Sequence, residues 1–100
     1  MRTIWKFPVL KSGYQELYMP ESAEILTVDT IDNRPYVWAL VDPEAPKVYR
    51  KFCTFMTGEE MPEKRYNCSY IGTYQLTIGQ LYVIHLFELY NLKPAEDGIS

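Results

Sequence analysis

Residues 24–41 read Glu24-Ile25-Leu26-Thr27-Val28-Asp29-Thr30-Ile31-Asp32-Asn33-Arg34-Pro35-Tyr36-Val37-Trp38-Ala39-Leu40-Val41, and this stretch decides the fold. In its first half Ile25, Thr27 and Asp29 face opposite to Leu26, Val28 and Thr30, the period of two that a strand requires. Asp32-Asn33-Arg34-Pro35 then marks a hairpin turn. Asp and Asn tolerate positive φ and close local side-chain turns, while Pro35 has no N–H to give a ladder. The second half is apolar on both faces, with Tyr36, Trp38 and Leu40 on one and Val37, Ala39 and Val41 on the other. That pattern predicts a central strand covered on both sides.

Working outward, short runs rich in Tyr, Thr, Val, Ile and Phe are separated by Pro, Gly, Asn and Asp, which predicts further strands at 3–7, 14–19, 47–56, 68–77 and 81–89. Within 81–89, Leu81, Ile84, His85 and Glu88 also sit at helical spacing. A strand is the preferred reading there, because Tyr, Val, Ile and Phe crowd together and no capping residue precedes them. Seven short strands predict an all-β domain, a small antiparallel sandwich or partly closed barrel spanning residues 1–92, with a fraying tail at 93–100. The expected core includes Trp5, Leu26, Val28, Trp38, Leu40, Phe52, Leu76, Val83 and Phe87. On that reading Trp38→Ala costs about 3–5 kcal/mol.

Composition narrows the class. A chain of 100 residues makes one domain. With 47% hydrophobic and 15% aromatic residues it is far from the makeup of a disordered chain. No apolar run reaches membrane-helix length and the N-terminal residues lack the apolar block of a signal peptide, so a soluble, cytoplasmic protein is expected. A net charge of −3 argues against duplex nucleic acid as a partner. Cys53 and Cys68 are too few for a disulfide scaffold or a Cys-rich zinc site, and read as ordinary buried residues of a reducing compartment. A bridge between them is geometrically allowed only if their strands pair.

No phosphate loop, nucleophile elbow or paired-histidine motif is present in the sequence, so neither a catalytic set nor a cofactor or metal is expected. His85 reads as a satisfied core histidine, with Glu88 on the opposite strand face, and Asp42 before Pro43 as a turn residue. The aromatic load is the unusual feature. Nine tyrosines suit cross-strand packing on a half-exposed sheet first, and a recognition face second, since Tyr dominates binding hot spots and stacks on nucleobases. Cations interleave with them at Tyr49-Arg50-Lys51 and Lys64-Arg65-Tyr66, which makes these six the candidate ligand-binding residues for a small phosphorylated molecule. Exposed Arg50 and Arg65 would then be replaceable by Glu without loss of stability. The polar loop 57–67 is long enough to close over a ligand. Surplus Tyr, with Met19, Met56 and Met61, also predicts a homo-oligomer joined through an edge strand, 14–19 or 47–56.

Several pieces together resemble a family of short, uncharacterised proteins of bacteriophages and prophages. They are Met1-Arg2-Thr3-Ile4-Trp5-Lys6-Phe7-Pro8, Met19-Pro20 followed by Ala23-Glu24-Ile25-Leu26, and Trp38-Ala39-Leu40-Val41-Asp42-Pro43-Glu44. Arg50 and Phe52, Thr57-Gly58, Tyr70-Ile71-Gly72-Thr73-Tyr74-Gln75-Leu76 and His85-Leu86-Phe87-Glu88 continue the match, which spans about residues 1–89. Relatives often continue Gly-Thr-Gly-His where this chain has Thr57-Gly58-Glu59. The resemblance implies a phage accessory protein without catalytic residues to carry over. It makes the expected role a non-catalytic, counter-defence one: sequestering a small nucleotide-derived host signal, or else occluding a host or defence protein by an exposed face or sheet edge.

Overall fold

The structure, a computed structural model, describes residues 1–61 and 67–90. Among these there are seven strands and no helix: β1 (Thr3–Pro8), β2 (Gln15–Pro20), β3 (Glu24–Ile31), β4 (Arg34–Val41), β5 (Lys47–Met56), β6 (Asn67–Ile78) and β7 (Gln80–Tyr90). Segment 81–89 is therefore a strand. No helix of the described residues is long and apolar enough to cross a membrane. The strands form two antiparallel sheets, β1-β4-β3 and β2-β5-β7-β6, and neither closes into a barrel. The expected tail 93–100 and the stretch 62–66 of the expected loop lie outside the described residues.

The hairpin forms where its sequence requires it. Asp32 and Asn33 both take positive φ, 51° and 63°, and Ile31 pairs directly with Arg34 across a two-residue turn. Two consecutive left-handed residues match the right-handed twist of the strands they join. Pro35 lies inside β4, opposite Thr30, and its carbonyl accepts the N–H of Val9 just beyond β1. A missing donor near the start of the strand is thus tolerated in a central position.

The core lies between the sheets, but it is drawn from a different face of β4 than bulk alone suggests. Val37, Ala39 and Val41 are fully buried, whereas Tyr36, Trp38 and Leu40 face outward and are half-buried. Small side chains on the inner face let two sheets meet across a thin interior. Val28, Phe52 and Leu76 are buried as expected, while Trp5 is half-buried and packs on the core edge. Val83 and Phe87 are half-buried on the outer face of the larger sheet, and Leu26 is exposed. Leu26 occupies a bulge, since the register with β4 shifts between Ile25 and Thr27, and the extra residue has no inward position. Trp38, lying outside the interior, is corrected as a core anchor. Strand 47–56 is also corrected as an edge: β5 is flanked by β2 and β7, so only β2 of the two nominated strands is an edge.

One side of the sandwich is closed by β3 lying against β6. There a Cβ built on Gly72 would stand 2.9 Å from Val28 Cγ1, closer than carbon atoms settle. The side chain of Asn33 completes the seam by donating to the carbonyl of Thr77 at 2.7 Å and accepting its N–H at 2.8 Å. Gly72→Ala is therefore expected to cost about 1–3 kcal/mol in denaturant unfolding. In a Val28→Ala background the cost should shrink, because the clashing methyl is gone.

Tyr74 is buried in the core, its hydroxyl donating to the carbonyl of Lys11 at 3.0 Å. Burial pushes its phenol up to about 12. Above pH 10 the unfolded chain loses this proton while the folded chain keeps it, so stability falls as pH rises toward the folded value. Between pH 8 and pH 11.5 Tyr74 should account for a loss on the order of 2 kcal/mol in unfolding free energy. Tyr74→Phe should remove that share, leaving the same-sign contributions of the raised Cys53 and Tyr14.

Candidate functional site

Alternation along β5 separates the first candidate cluster. Tyr49 and Lys51 point to the outer face of the four-stranded sheet, and Arg50 points between the sheets with Val48 and Phe52. There Arg50 Nε donates to Glu88 Oε2 at 2.6 Å and Nη2 to Glu88 Oε1 at 2.9 Å. Its Nη1 donates to the carbonyl of Ala23 at 2.6 Å. The two side chains are only 20% and 14% exposed. A guanidinium with both arms of its fork on a carboxylate and its remaining nitrogen on a carbonyl is a structural tie. Lys64, Arg65 and Tyr66 lie outside the described residues.

The outer face that carries Tyr49 is aromatic across its width. Tyr18 stands opposite Tyr49 in the β2–β5 register, ring centroids 4.7 Å apart and tilted by 38°. Both rings are more than half exposed, 54% and 62%. Lys47 Nζ sits 5.9 Å from the Tyr18 centroid and 5.9 Å from that of Trp5, bridging β2 and β1 at the open side of the sandwich. Lys51 lies in register between Glu16 and Leu89. Further along, Phe55 meets Phe87 edge-on at 5.9 Å, and Phe87 meets Tyr70 edge-on at 5.6 Å, a row that crosses β5, β7 and β6. Edge-on contact is the favoured arrangement of such rings.

A second bulge completes this face. The β6–β7 register shifts between Tyr70 and Gly72, so Tyr70 and Thr73, three residues apart, come to the same side. Tyr70 Oη and Thr73 Oγ1 are hydrogen-bonded. Thr73 Oγ1 also meets His85 Nδ1 at 2.9 Å, and Thr57 Oγ1 meets His85 Nε2 at 2.7 Å. His85 is thus satisfied at both nitrogens, but by hydroxyls on the outer face rather than in the core. No carboxylate bonds it among the described residues, so the network orders the surface without the partner that makes histidine a strong base.

The two cysteines share this face and do not share a bridge. Cys53 pairs with Phe87 and Cys68 with Leu89, on strands that flank β7. Two strand spacings, roughly 9–10 Å, exceed the span of a disulfide. Burial pushes the Cys53 thiol up, and nearby Glu59 adds to the rise, so this cysteine is a poor nucleophile. Among the described residues no group of three His, Cys, Asp or Glu side chains could hold a metal ion. A hollow of about 360 Å³ between Pro8–Leu10 and Gln15–Leu17 has its one buried amide engaged, Gln15 Oε1 accepting the N–H of Leu10.

Tyr18, Tyr70 and Phe87 join the site only through strand order. Their strand positions and alternation are readable, but which strands lie side by side depends on long-range pairing that no local pattern encodes. The fold and this face define a small two-sheet β-sandwich with an exposed aromatic face on its larger sheet. By sequence the chain belongs to the family described as a domain of unknown function (DUF7352), matched over residues 1–97. No curated protein and no solved structure matches it.

The ion pair makes a firm prediction. Arg50→Glu or Arg50→Ala strands a carboxylate and a carbonyl between the sheets and is expected to cost about 3–5 kcal/mol in urea unfolding. The double change Arg50→Met/Glu88→Leu should recover most of that loss, since an apolar pair fills the space without a buried charge. Arg50 is therefore corrected as a substitution neutral for stability.

Proposed function

We propose that this is a non-catalytic phage accessory protein that counters host defence in the cytoplasm of the infected cell by binding a protein partner on the outer face of β2-β5-β7-β6. The observation that carries the reading is the exposure of Tyr18, Tyr49 and Tyr70, each more than half accessible and each buttressed by a second aromatic ring. Rigid, amphipathic rings held in place by neighbours are the groups that dominate protein-binding hot spots, because little side-chain entropy is lost when a partner covers them. The face is broad and its three anchors lie on three strands, β2, β5 and β6, which suits a surface more than a small molecule.

A second reading is favoured by one local feature. The Tyr18–Tyr49 pair has Lys47 and Lys51 beside it, an aromatic platform next to cations that would suit a nucleotide-derived signal. Arg50 is held by Glu88 between the sheets, and the cations beside the Tyr pair among the described residues are ammonium groups. These grip phosphate less firmly than a guanidinium fork, and the protein partner is therefore preferred.

Affinity capture from lysate of defence-active infected cells tests the choice, using wild type beside Tyr49→Glu and Tyr70→Glu. Wild type should retain a protein that both variants lose, while both variants stay folded with a loss of about 0.5–1.5 kcal/mol from the broken ring contact. Retention of the same protein by both variants would overturn the reading. Binding heat with a cyclic or ADP-ribose-type nucleotide, lost in Tyr49→Glu, would move the conclusion to the small signal. Turnover of such a nucleotide would remove both.

A further inference from the structure

We infer that the opposite face, the outer surface of β1-β4-β3, is the contact between two copies of this chain, related by a two-fold axis running along β4. This face is apolar along its centre. Trp38 and Leu40 are half-buried on β4, with Ile4 at 55% and Leu26 at 43% exposure on either side. Ile4, Leu26, Thr27, Asp29 and Trp38 line a shallow, open hollow of about 370 Å³.

The charges around this centre are sorted by strand. The β1 side carries Arg2 and Lys6, the β3 side carries Glu24 and Asp29, and Arg34 stands exposed at the hairpin end of β4 itself. Register places Lys6 and Thr27 on either side of Trp38, with Asp29 beside Tyr36 and Glu24 beside Leu40. Arg2 reaches Glu24 within the chain at 3.8 Å, with both groups largely exposed. Lys6 lies 4.6 Å above the Tyr36 ring, and among the described residues neither Lys6 nor Asp29 has an ion-pair partner.

A surface sorted in this way chooses its own symmetry. Rotation about an axis along β4 lays the β1 side of one copy over the β3 side of the other. Lys6 then comes over Thr27 of the second copy, within a side chain's reach of its Asp29, and Trp38 and Leu40 meet their own counterparts near the axis. Rotation about an axis across the strands would instead set acid against acid and base against base. The first arrangement joins opposite charges on both flanks and brings only Arg34, exposed at the hairpin end, near its own counterpart. The second opposes like charges along both flanks, so the first is selected. The face is only three strands wide, which sets the expectation of a dimer that dissociates on dilution through the micromolar range. The aromatic face of the larger sheet points away from the contact in both copies.

Sedimentation velocity on the full chain, from low to high micromolar concentration, should show monomer passing to dimer. Lys6→Glu and Asp29→Lys, both at exposed positions, should each weaken self-association by about tenfold or more. An equimolar mixture of the two variants should dimerise again. In each mixed dimer one of the two symmetry-related contacts keeps the native Lys6 and Asp29, and the other carries the same two charges exchanged. A wild-type chain that stays monomeric at high micromolar concentration would overturn the inference. So would single variants that associate like wild type, or a mixture that fails to recover.

Discussion

The closeness of β6 to β3 is the constraint on which the rest of the molecule depends. It exists because Gly72 has no side chain where Val28 Cγ1 would meet one, at 2.9 Å. The seam is then pinned by a single amide side chain. Asn33 sits in the β3–β4 turn at a positive φ, and from there it both donates to and accepts from the backbone of Thr77. Few side chains carry a donor and an acceptor so arranged and also tolerate the left-handed region. The same residue therefore shapes the hairpin and joins the sheets. With this side closed, the sandwich opens toward β1 and β2, where larger groups, Trp5, Phe7 and the Lys47 ammonium between Trp5 and Tyr18, fill the wider gap.

The Arg50–Glu88 tie plays the corresponding part within the larger sheet. Phe52 is the register partner of Glu88, so Arg50 reaches it diagonally, and through Ala23 it also holds the entry to β3. A slip of one residue between β5 and β7 would turn Glu88 to the outer face and leave the guanidinium alone between the sheets. Apolar packing would tolerate such a slip more readily than a bidentate, directional contact does. The pair thus ties register to a buried charge, at a desolvation cost that the surrounding hydrogen bonds offset.

Much of this was legible in local sequence and some was not, for definite reasons. Strand positions follow from alternation and turn residues, so segments such as 24–31 and 47–56 coincide with β3 and β5 to the residue. The face of β4 that turns inward was not legible, because both of its faces are apolar and bulk favours the wrong one. Deciding between Trp38 and Val37 requires knowing that the sheets close tightly at Gly72, which is a fact about a residue far along the chain. At the candidate site the opposite holds for Arg50. Alternation already put it with Val48 and Phe52 and apart from Tyr49 and Lys51, so a cluster that is compact in sequence divides between two faces. Its partner Glu88 alternates with Ile84 and Leu86 in the same way. The joint signal, opposite charges each on an otherwise apolar face, is what marks a buried pair.

The exposed rings have a geometric origin and a residual pattern that geometry does not require. In any two-sheet sandwich of this size roughly half of the strand side chains must face outward, and a chain with 15% aromatic residues has too thin an interior to hide them all. Exposure of some Tyr is therefore forced. Their placement is not. On the larger sheet the rings occur as cross-strand pairs that support one another, Tyr18 with Tyr49 and Tyr70 with Phe87, with charges interspersed. On the smaller sheet the apolar groups gather on and around the central strand, with basic residues on one flanking strand, acidic ones on the other, and Arg34 at the hairpin end of the central strand. Scattered charge on one side and sorted charge on the other are different solutions to the same surplus of apolar surface. The first leaves anchors accessible to a partner of another kind. The second is self-complementary, and a self-complementary surface is best covered by a copy of itself.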